Sequence, residues 1–165
     1  MNVDKIAWKL KKIEIFSDNL GKEKLINFEN NHNELFSIIR NQKLFESLIK
    51  SLSKDKHFKR INSLKNFNLS DNYNLIINTD FTSPITKKYF SRKILKQYNS
   101  SAYTTIIQHE KIVNDIAVQI FTKLGPLAFL PISEKETSVV YSFYNKKNEN
   151  INNLIEKYNR KYKIL

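Results

Sequence analysis

Phe121-Thr122-Lys123-Leu124-Gly125-Pro126-Leu127-Ala128-Phe129-Leu130-Pro131-Ile132-Ser133 is the stretch on which the fold turns, because it gathers most of the chain's backbone punctuation. It holds one of only two glycines and two of only three prolines in the 165 residues. Glycine permits a sharp bend, whereas proline fixes φ and has no N–H to give to a ladder. Gly125-Pro126 ahead of an apolar run therefore predicts a turn and then a strand. Pro131 inside the run predicts a strand at a sheet edge, or one whose N–H-free side is turned away from a neighbour.

Working outward, β-rich runs flank this stretch: Tyr103–Ile107, Ala117–Phe121 and Thr137–Phe143. With Leu127–Ile132 they predict a meander, an antiparallel sheet of about four strands. Residues Asn150 to Tyr162 carry Ile151, Leu154, Ile155 and Tyr158 at helical spacing, which predicts a terminal amphipathic helix. Upstream, Lys11–Phe16 alternates polar and apolar, Asn19-Leu20-Gly21-Lys22 supplies a turn, and Leu25–Phe28 returns, so a hairpin is expected over about Lys11 to Glu29. The run Leu35–Ile39 leads through Arg40 into Leu44, Phe45, Leu48, Ile49 and Leu52, a helix for which Asn41 is a reasonable N-cap. Phe58–Ile61 and Phe67–Leu69 read as short strands, and Tyr73–Ile77 as a longer one buried on both faces. Pro84 to Phe90 reads as a short basic helix with Pro84 in its first position. The fold class expected is α+β: the antiparallel sheet, flanking helices and an N-terminal β-hairpin.

Composition narrows the chemistry. With 41% hydrophobic and 12% aromatic residues the chain can build a core, and its lack of cysteine removes disulfides and thiol chemistry and suits a cytoplasmic setting. No run approaches the roughly 18 apolar residues that span a bilayer. The formal charge of +12 is spread over every segment rather than gathered into a stripe, so it predicts no specific nucleic-acid site. It does allow weak contact with anionic lipid head groups. Gly21 and Gly125 stand too far apart for a G-x-G-x-x-G turn or a P-loop. His32, His57 and His109 are too dispersed to suggest a metal site. His109-Glu110 reads as an exposed strand end, and the cluster Lys54 to Arg60 as a solvated face. No catalytic constellation is visible from residue types and spacing alone.

The segment Tyr98 to Phe143 resembles the central part of the ubiquinone-biosynthesis hydroxylases, within the flavin-dependent aromatic hydroxylases. The likeness rests on Tyr98, Ala102, Glu110, Phe121-Thr122 and Gly125-Pro126-Leu127-Ala128-Phe129-Leu130-Pro131-Ile132. More loosely, Leu75–Asp80 resembles the strand entering the family's Gly-Ala-Asp-Gly motif, with Asn78 and Phe81 in place of the two glycines and Asp80 matching the aspartate. The resemblance implies FAD as cofactor, NAD(P)H as reductant and an aromatic quinone precursor as substrate. It implies Arg40, Asn41 and Asp80 on the cofactor side, and Gly125, Pro126, Phe129, Pro131 and Tyr141 as candidates for the substrate pocket, with no catalytic residue in this chain. In the family the flavin carries the oxygen chemistry, through its C4a-hydroperoxide. The family's G-x-G-x-x-G segment would precede Met1 and its Gly-Asp motif would follow Leu165. The resemblance therefore implies an incomplete enzyme: 1–97 with partial FAD-domain elements, 98–145 with the substrate-domain sheet, and 146–165 with the terminal helix. Such a chain is expected to bind FAD poorly and to need a complementing flavin-binding chain, in the cytoplasm or at the inner face of the membrane. The alternatives are a non-catalytic accessory protein that keeps the sheet, and a small basic nucleic-acid-binding domain.

Overall fold

The computed structural model describes residues 3–20, 23–30, 33–61, 73–90, 92, 94–144 and 150–165. The chain divides into two compact units, Met1–Leu52 with Asn99–Leu165, and Ser53–Tyr98. The architecture is α+β, as expected.

In the first unit a six-stranded mixed sheet is built from β2 (Lys12–Ser17), β3 (Lys24–Glu29), β5 (Ser100–Gln108), β6 (Ile116–Thr122), β7 (Gly125–Pro131) and β8 (Glu136–Tyr144), in the order β3-β2-β6-β7-β8-β5. A separate pair joins β1 (Ala7–Leu10) to β4 (Phe36–Ile39), and helices α1 (Asn41–Leu52) and α3 (Ile151–Tyr158) complete the unit. The predicted hairpin is present as β2 and β3, and it extends the four expected strands because β2 lies parallel to β6, Lys12 opposite Ile116 and Phe16 opposite Ile120. Among themselves the four strands pair antiparallel, but they are not a simple meander. Only β6, β7 and β8 follow one another, while β5 crosses to the far side and pairs with β8, Tyr103 opposite Tyr141.

That order corrects the edge expectation for the Gly125–Pro131 strand, which is interior. Pro131 is accommodated because the β6 ladder ends at Val118 opposite Phe129, so its missing N–H costs no bond on that side. Odd-numbered residues of β7 and β8 face inward: Leu127, Phe129, Pro131, Thr137, Val139, Tyr141 and Phe143 are all buried. On this face they meet Phe16, Ile107, Ile120 and the helix residues Leu154, Ile155 and Tyr158. The apolar stripe of α3 is the one the periodicity predicts. The helix nevertheless stops at Tyr158 rather than Tyr162, because the Asn159 side chain turns the chain: its Oδ1 accepts from Lys161 N and Tyr162 N, and its Nδ2 donates to Tyr162 O at 2.6 Å.

Helix α1 forms where expected, but none of its residues is fully buried. Asn41 is its first helical residue, and the carbonyl of Arg40 receives the first bond, from Leu44 N at 3.0 Å. Arg40 therefore occupies the cap position. In the second unit α2 (Pro84–Tyr89) starts at Pro84, with Ser83 as its N-cap accepting from Thr86 N. Tyr73–Ile77 is not a strand, and Leu75 and Ile77 are 74% and 79% exposed. Its β-branched residues meet no partner strand among the described residues, and propensity alone does not hold an extended segment in a sheet. Phe58–Ile61 is also irregular. Asp55 draws the chain into a turn there, its Oδ1 accepting from His57 N at 2.8 Å and its carbonyl from Phe58 N at 3.1 Å. Phe67–Leu69, His32 and the Gly21-Lys22 part of the predicted turn lie outside the described residues.

Gly125 opens β7 with φ +150°, a conformation L side chains rarely adopt. A β-carbon there would fall on the Ser142 carbonyl oxygen of β8 and come within 3.1 Å of Phe143 Cα. Thr122 Oγ1 donates to Gly125 O at 2.7 Å and closes the turn. Gly125→Ala is expected to destabilise the fold by about 2–4 kcal/mol, from strain and displaced backbone together. Urea denaturation that leaves the midpoint within error of the wild type would contradict this packing.

Candidate functional site

Beneath α3 and the segment that follows it lies a cavity of about 150 Å³. Its floor is the inward face of the sheet, with Phe16 from β2, Val118 and Ile120 from β6, and Phe129 from β7. Its roof is Tyr158 and Tyr162, with Arg160 and Lys161 between them. The strand period of two sends Phe16, Val118, Ile120 and Phe129 to one face, and the Asn159 turn brings Tyr162 down over Phe129, ring centroids 6.0 Å apart. Burial raises both the Tyr158 and Tyr162 phenols above the usual tyrosine range. Arg160 lies over the Phe16 ring at 5.4 Å, and partial desolvation of the Lys161 ammonium lowers it below the usual lysine range. The one carboxylate in the lining, Glu14, accepts from Lys24 Nζ at 2.5 Å and faces Lys12 Nζ at 3.5 Å. The space is apolar, ring-sized and cationic at its rim, and it holds no nucleophile paired to a base.

Beside it is a buried polar network that residue spacing does not announce. His109 is 0% exposed, which corrects its reading as an exposed strand end. The loop from Glu110 to Asp115 and the C-terminal segment close over it, with the Tyr162 ring 4.6 Å away. Asn114 Nδ2 donates to Ser133 O at 2.8 Å and to Thr137 Oγ1 at 3.0 Å. Thr137 Oγ1 lies 3.0 Å from His109 Nε2, and His109 Nδ1 lies 2.8 Å from Glu110 O. A carbonyl can only accept, so Nδ1 carries the proton and Nε2 accepts from the Thr137 hydroxyl. The Tyr162 hydroxyl donates to Asn114 Oδ1 at 3.2 Å, and Trp8 Nε1 donates to the Asn114 carbonyl at 2.6 Å. Every polar atom in the chain from Tyr162 to Glu110 is thereby used.

The residues singled out by resemblance are distributed as follows. Gly125, Pro126, Phe129 and Pro131 share β7, and Tyr141 sits on β8 opposite Leu127. Only Phe129 lines the cavity. Tyr141 and Pro131 are packed in the core, Tyr141 against Phe143 at 5.5 Å, and Pro126 lies on the opposite face of the sheet. Arg40 Nη2 is paired with Glu136 Oε2 at 2.6 Å, and Asn41 is exposed beside it in sequence. In the second unit Asp80 is exposed and bound into the turn ahead of α2. Its Oδ1 accepts from Thr82 Oγ1 at 2.7 Å and from Thr82 N at 2.8 Å, which holds its carboxyl below the usual carboxylate range. Residue reasoning missed the cavity's Phe16, Val118, Tyr158 and Tyr162. Periodicity places Phe16 and Val118 on strands and Tyr158 on a helix face, but it does not show that these faces meet around a cavity.

Neither a protein-family model nor a curated protein sequence gives a significant match to the chain.

Replacing Asn114 by Ala is expected to orphan Ser133 O and the Tyr162 hydroxyl and to take one of its two partners from the Thr137 hydroxyl, lowering stability by about 2–4 kcal/mol. Unfolding calorimetry would read this as a clear loss of Tm, whereas an unchanged Tm would mean that water replaces the amide freely.

Proposed function

We propose that this chain is the substrate-side, central part of an FAD-dependent aromatic-ring monooxygenase of the ubiquinone-biosynthesis type. Its substrate is an aromatic quinone precursor, and NAD(P)H is the reductant. One coincidence carries the reading: the strand with the densest resemblance, Gly125–Pro131, is also the strand that turns Phe129 into a ring-sized aromatic cavity. An apolar space of about 150 Å³ admits one benzene-sized ring. Phe16, Phe129, Tyr158 and Tyr162 can hold such a ring by offset or edge-to-face contact. Arg160 and Lys161 at the rim favour a phenolate or carboxylate substituent turned toward them.

The residues of this chain do not fit the flavin itself. The carboxylate of Asp80 is engaged by Thr82, the guanidinium of Arg40 by Glu136, and the open backbone of Gly125 by the Ser142 carbonyl. The flavin, which supplies the oxygen chemistry in this family, is then held by a complementing flavin-binding chain. The work of these 165 residues is to bind the ring, orient it and exclude water. Among the described residues no helix is long and apolar enough to cross a membrane, and the charge of +12 supports peripheral contact with anionic lipid at the inner face. The engagement of Asp80 and Arg40 by neighbouring side chains also favours a second reading, an accessory subunit that keeps the sheet and binds the ring without turning it over.

Phenol at millimolar concentration is expected to shift the side-chain NMR signals of Phe129, Tyr158 and Tyr162, and Val118→Phe, which fills the cavity, is expected to abolish the shifts. FAD is expected to keep its free fluorescence in the same solution. Aromatic signals that ignore phenol, or flavin quenching with micromolar affinity, would contradict the proposal.

A further inference from the structure

Among the described residues, the outer edge of β5 is open along most of its length. Its inner edge pairs with β8, and the ladder continues as His109 N donates to Lys135 O at 3.0 Å. Since N–H and C=O groups alternate in direction along a strand, odd-numbered residues bond to β8 and even-numbered ones point outward. At the far end those outward groups are taken by the chain's own C-terminal segment. Ile164 lies antiparallel to His109, with Leu165 N donating to Gln108 O at 3.1 Å and Glu110 N to Lys163 O at 3.0 Å. Ser100, Ala102, Thr104 and Ile106 remain, and among the described residues no strand pairs with them.

We propose that this edge pairs antiparallel with β5 of a second copy of the chain, joining two six-stranded sheets into one. Three observations select that occupant. First, β5 reads Ser-Ser-Ala-Tyr-Thr-Thr-Ile-Ile-Gln, with no charge, proline or glycine, in a chain with 28 Lys and Arg. Exposed edges are ordinarily defended by lysine, proline or a bulge. The opposite edge, β3, has such defences, with Lys24, Glu29 and a register shift opposite Ile15/Phe16. An acidic or basic peptide would find no counter-charge on β5, whereas an identical uncharged strand meets no repulsion there.

Second, the open length is self-complementary. A two-fold axis at Tyr103 sets Ser100 opposite Ile106 of the second copy and Ala102 opposite Thr104 of the second copy. All four outward-facing residues then exchange bonds in pairs, and the ladder ends where Leu165 already covers Gln108. Third, the residue on the axis suits the pairing. Tyr103 is 48% exposed and stacked on Phe143 at 5.1 Å, so the two Tyr103 rings would meet already oriented. The repulsion of two chains of charge +12 is carried by lysines elsewhere and is screened over about 8 Å at physiological salt.

Sedimentation equilibrium of the full chain at micromolar concentration tests this. The expected mass is twice the 19.6 kDa of the monomer. Thr104→Pro removes an outward N–H without touching the β8 ladder, and is expected to return the mass to 19.6 kDa with an unchanged circular dichroism spectrum. A wild-type monomer overturns the proposal, and so does a dimer that survives Thr104→Pro. A mass above the dimer does the same, because head-to-tail pairing of β3 with β5 would then be the contact. Should Thr104→Pro fail to fold, single cysteines in this cysteine-free chain decide the matter. The axis holds two residues at position 103 with Cα atoms about 4.5 Å apart, inside disulfide range, and two at position 105 roughly 13 Å apart. Tyr103→Cys is expected to cross-link at least about tenfold faster than Thr105→Cys on mild oxidation, and equal rates would overturn the pairing.

Discussion

The side-chain amide of Asn114 is the constraint on which the rest of this structure depends. It sits in a loop with no regular structure, yet its Nδ2 reaches Ser133 and Thr137 while its Oδ1 takes the hydroxyl of Tyr162. Those contacts join the start of β8, the turn before it and the C-terminal segment, and Trp8 adds the N-terminal pair of strands through the Asn114 carbonyl. In a low-dielectric interior such a network is either complete or expensive, since an orphaned amide has no water to turn to. Completing it brings Tyr162 down beside His109 and over Phe129, and so roofs the aromatic cavity. It also turns Ile164 and Leu165 onto the outer edge of β5. The cavity and the covered end of that edge are therefore two consequences of one hydrogen-bonded cluster.

The two faces of the sheet are unequally covered. One face is covered by α3 and holds the core, with the cavity at the side nearest β2 and β6. The other carries Ile13, Ile15, Ala128, Leu130 and Val140 half-buried, with Phe28 and Phe121 each 46% exposed. Gly125 shows the economy of the arrangement. In a dinucleotide site a glycine admits a phosphate, but here it admits the carbonyl of a neighbouring strand. Pro126, Leu127 and Phe129 then follow in the register that fills the core.

Much of this was legible in the residues, and the exceptions share a cause. The hairpin, α1, α2 starting at Pro84, α3 and the four strands around Gly125 were readable because period and punctuation are local properties. Pairing is not local. Nothing in Tyr103–Ile107 distinguishes a place beside β6 from the place it takes beside β8, and nothing in Lys12–Ser17 announces a parallel partner in Ile116–Thr122. Tyr73–Ile77 has the composition of a buried strand, but among the described residues it has no neighbouring strand to pair with. The candidate site was less legible still. Phe129 could be pointed to through resemblance, but Tyr162 became a roof only through the Asn159 turn, which a helical reading of Asn150 to Tyr162 conceals. Asn114 and Thr137 are single polar residues among many, and their role exists only once the chain has closed around them.

Hydrogen exchange of the Asn114 side-chain amide tests the central claim most directly. If the amide is the buried hub described above, its Nδ2 protons exchange only when the unit unfolds, with protection close to that of the backbone amide of Val139 at the centre of β8. Exchange as fast as that of the exposed Asn27 on β3 would show that the network opens independently of the sheet, and the account of the cavity and of the β5 edge would fall with it.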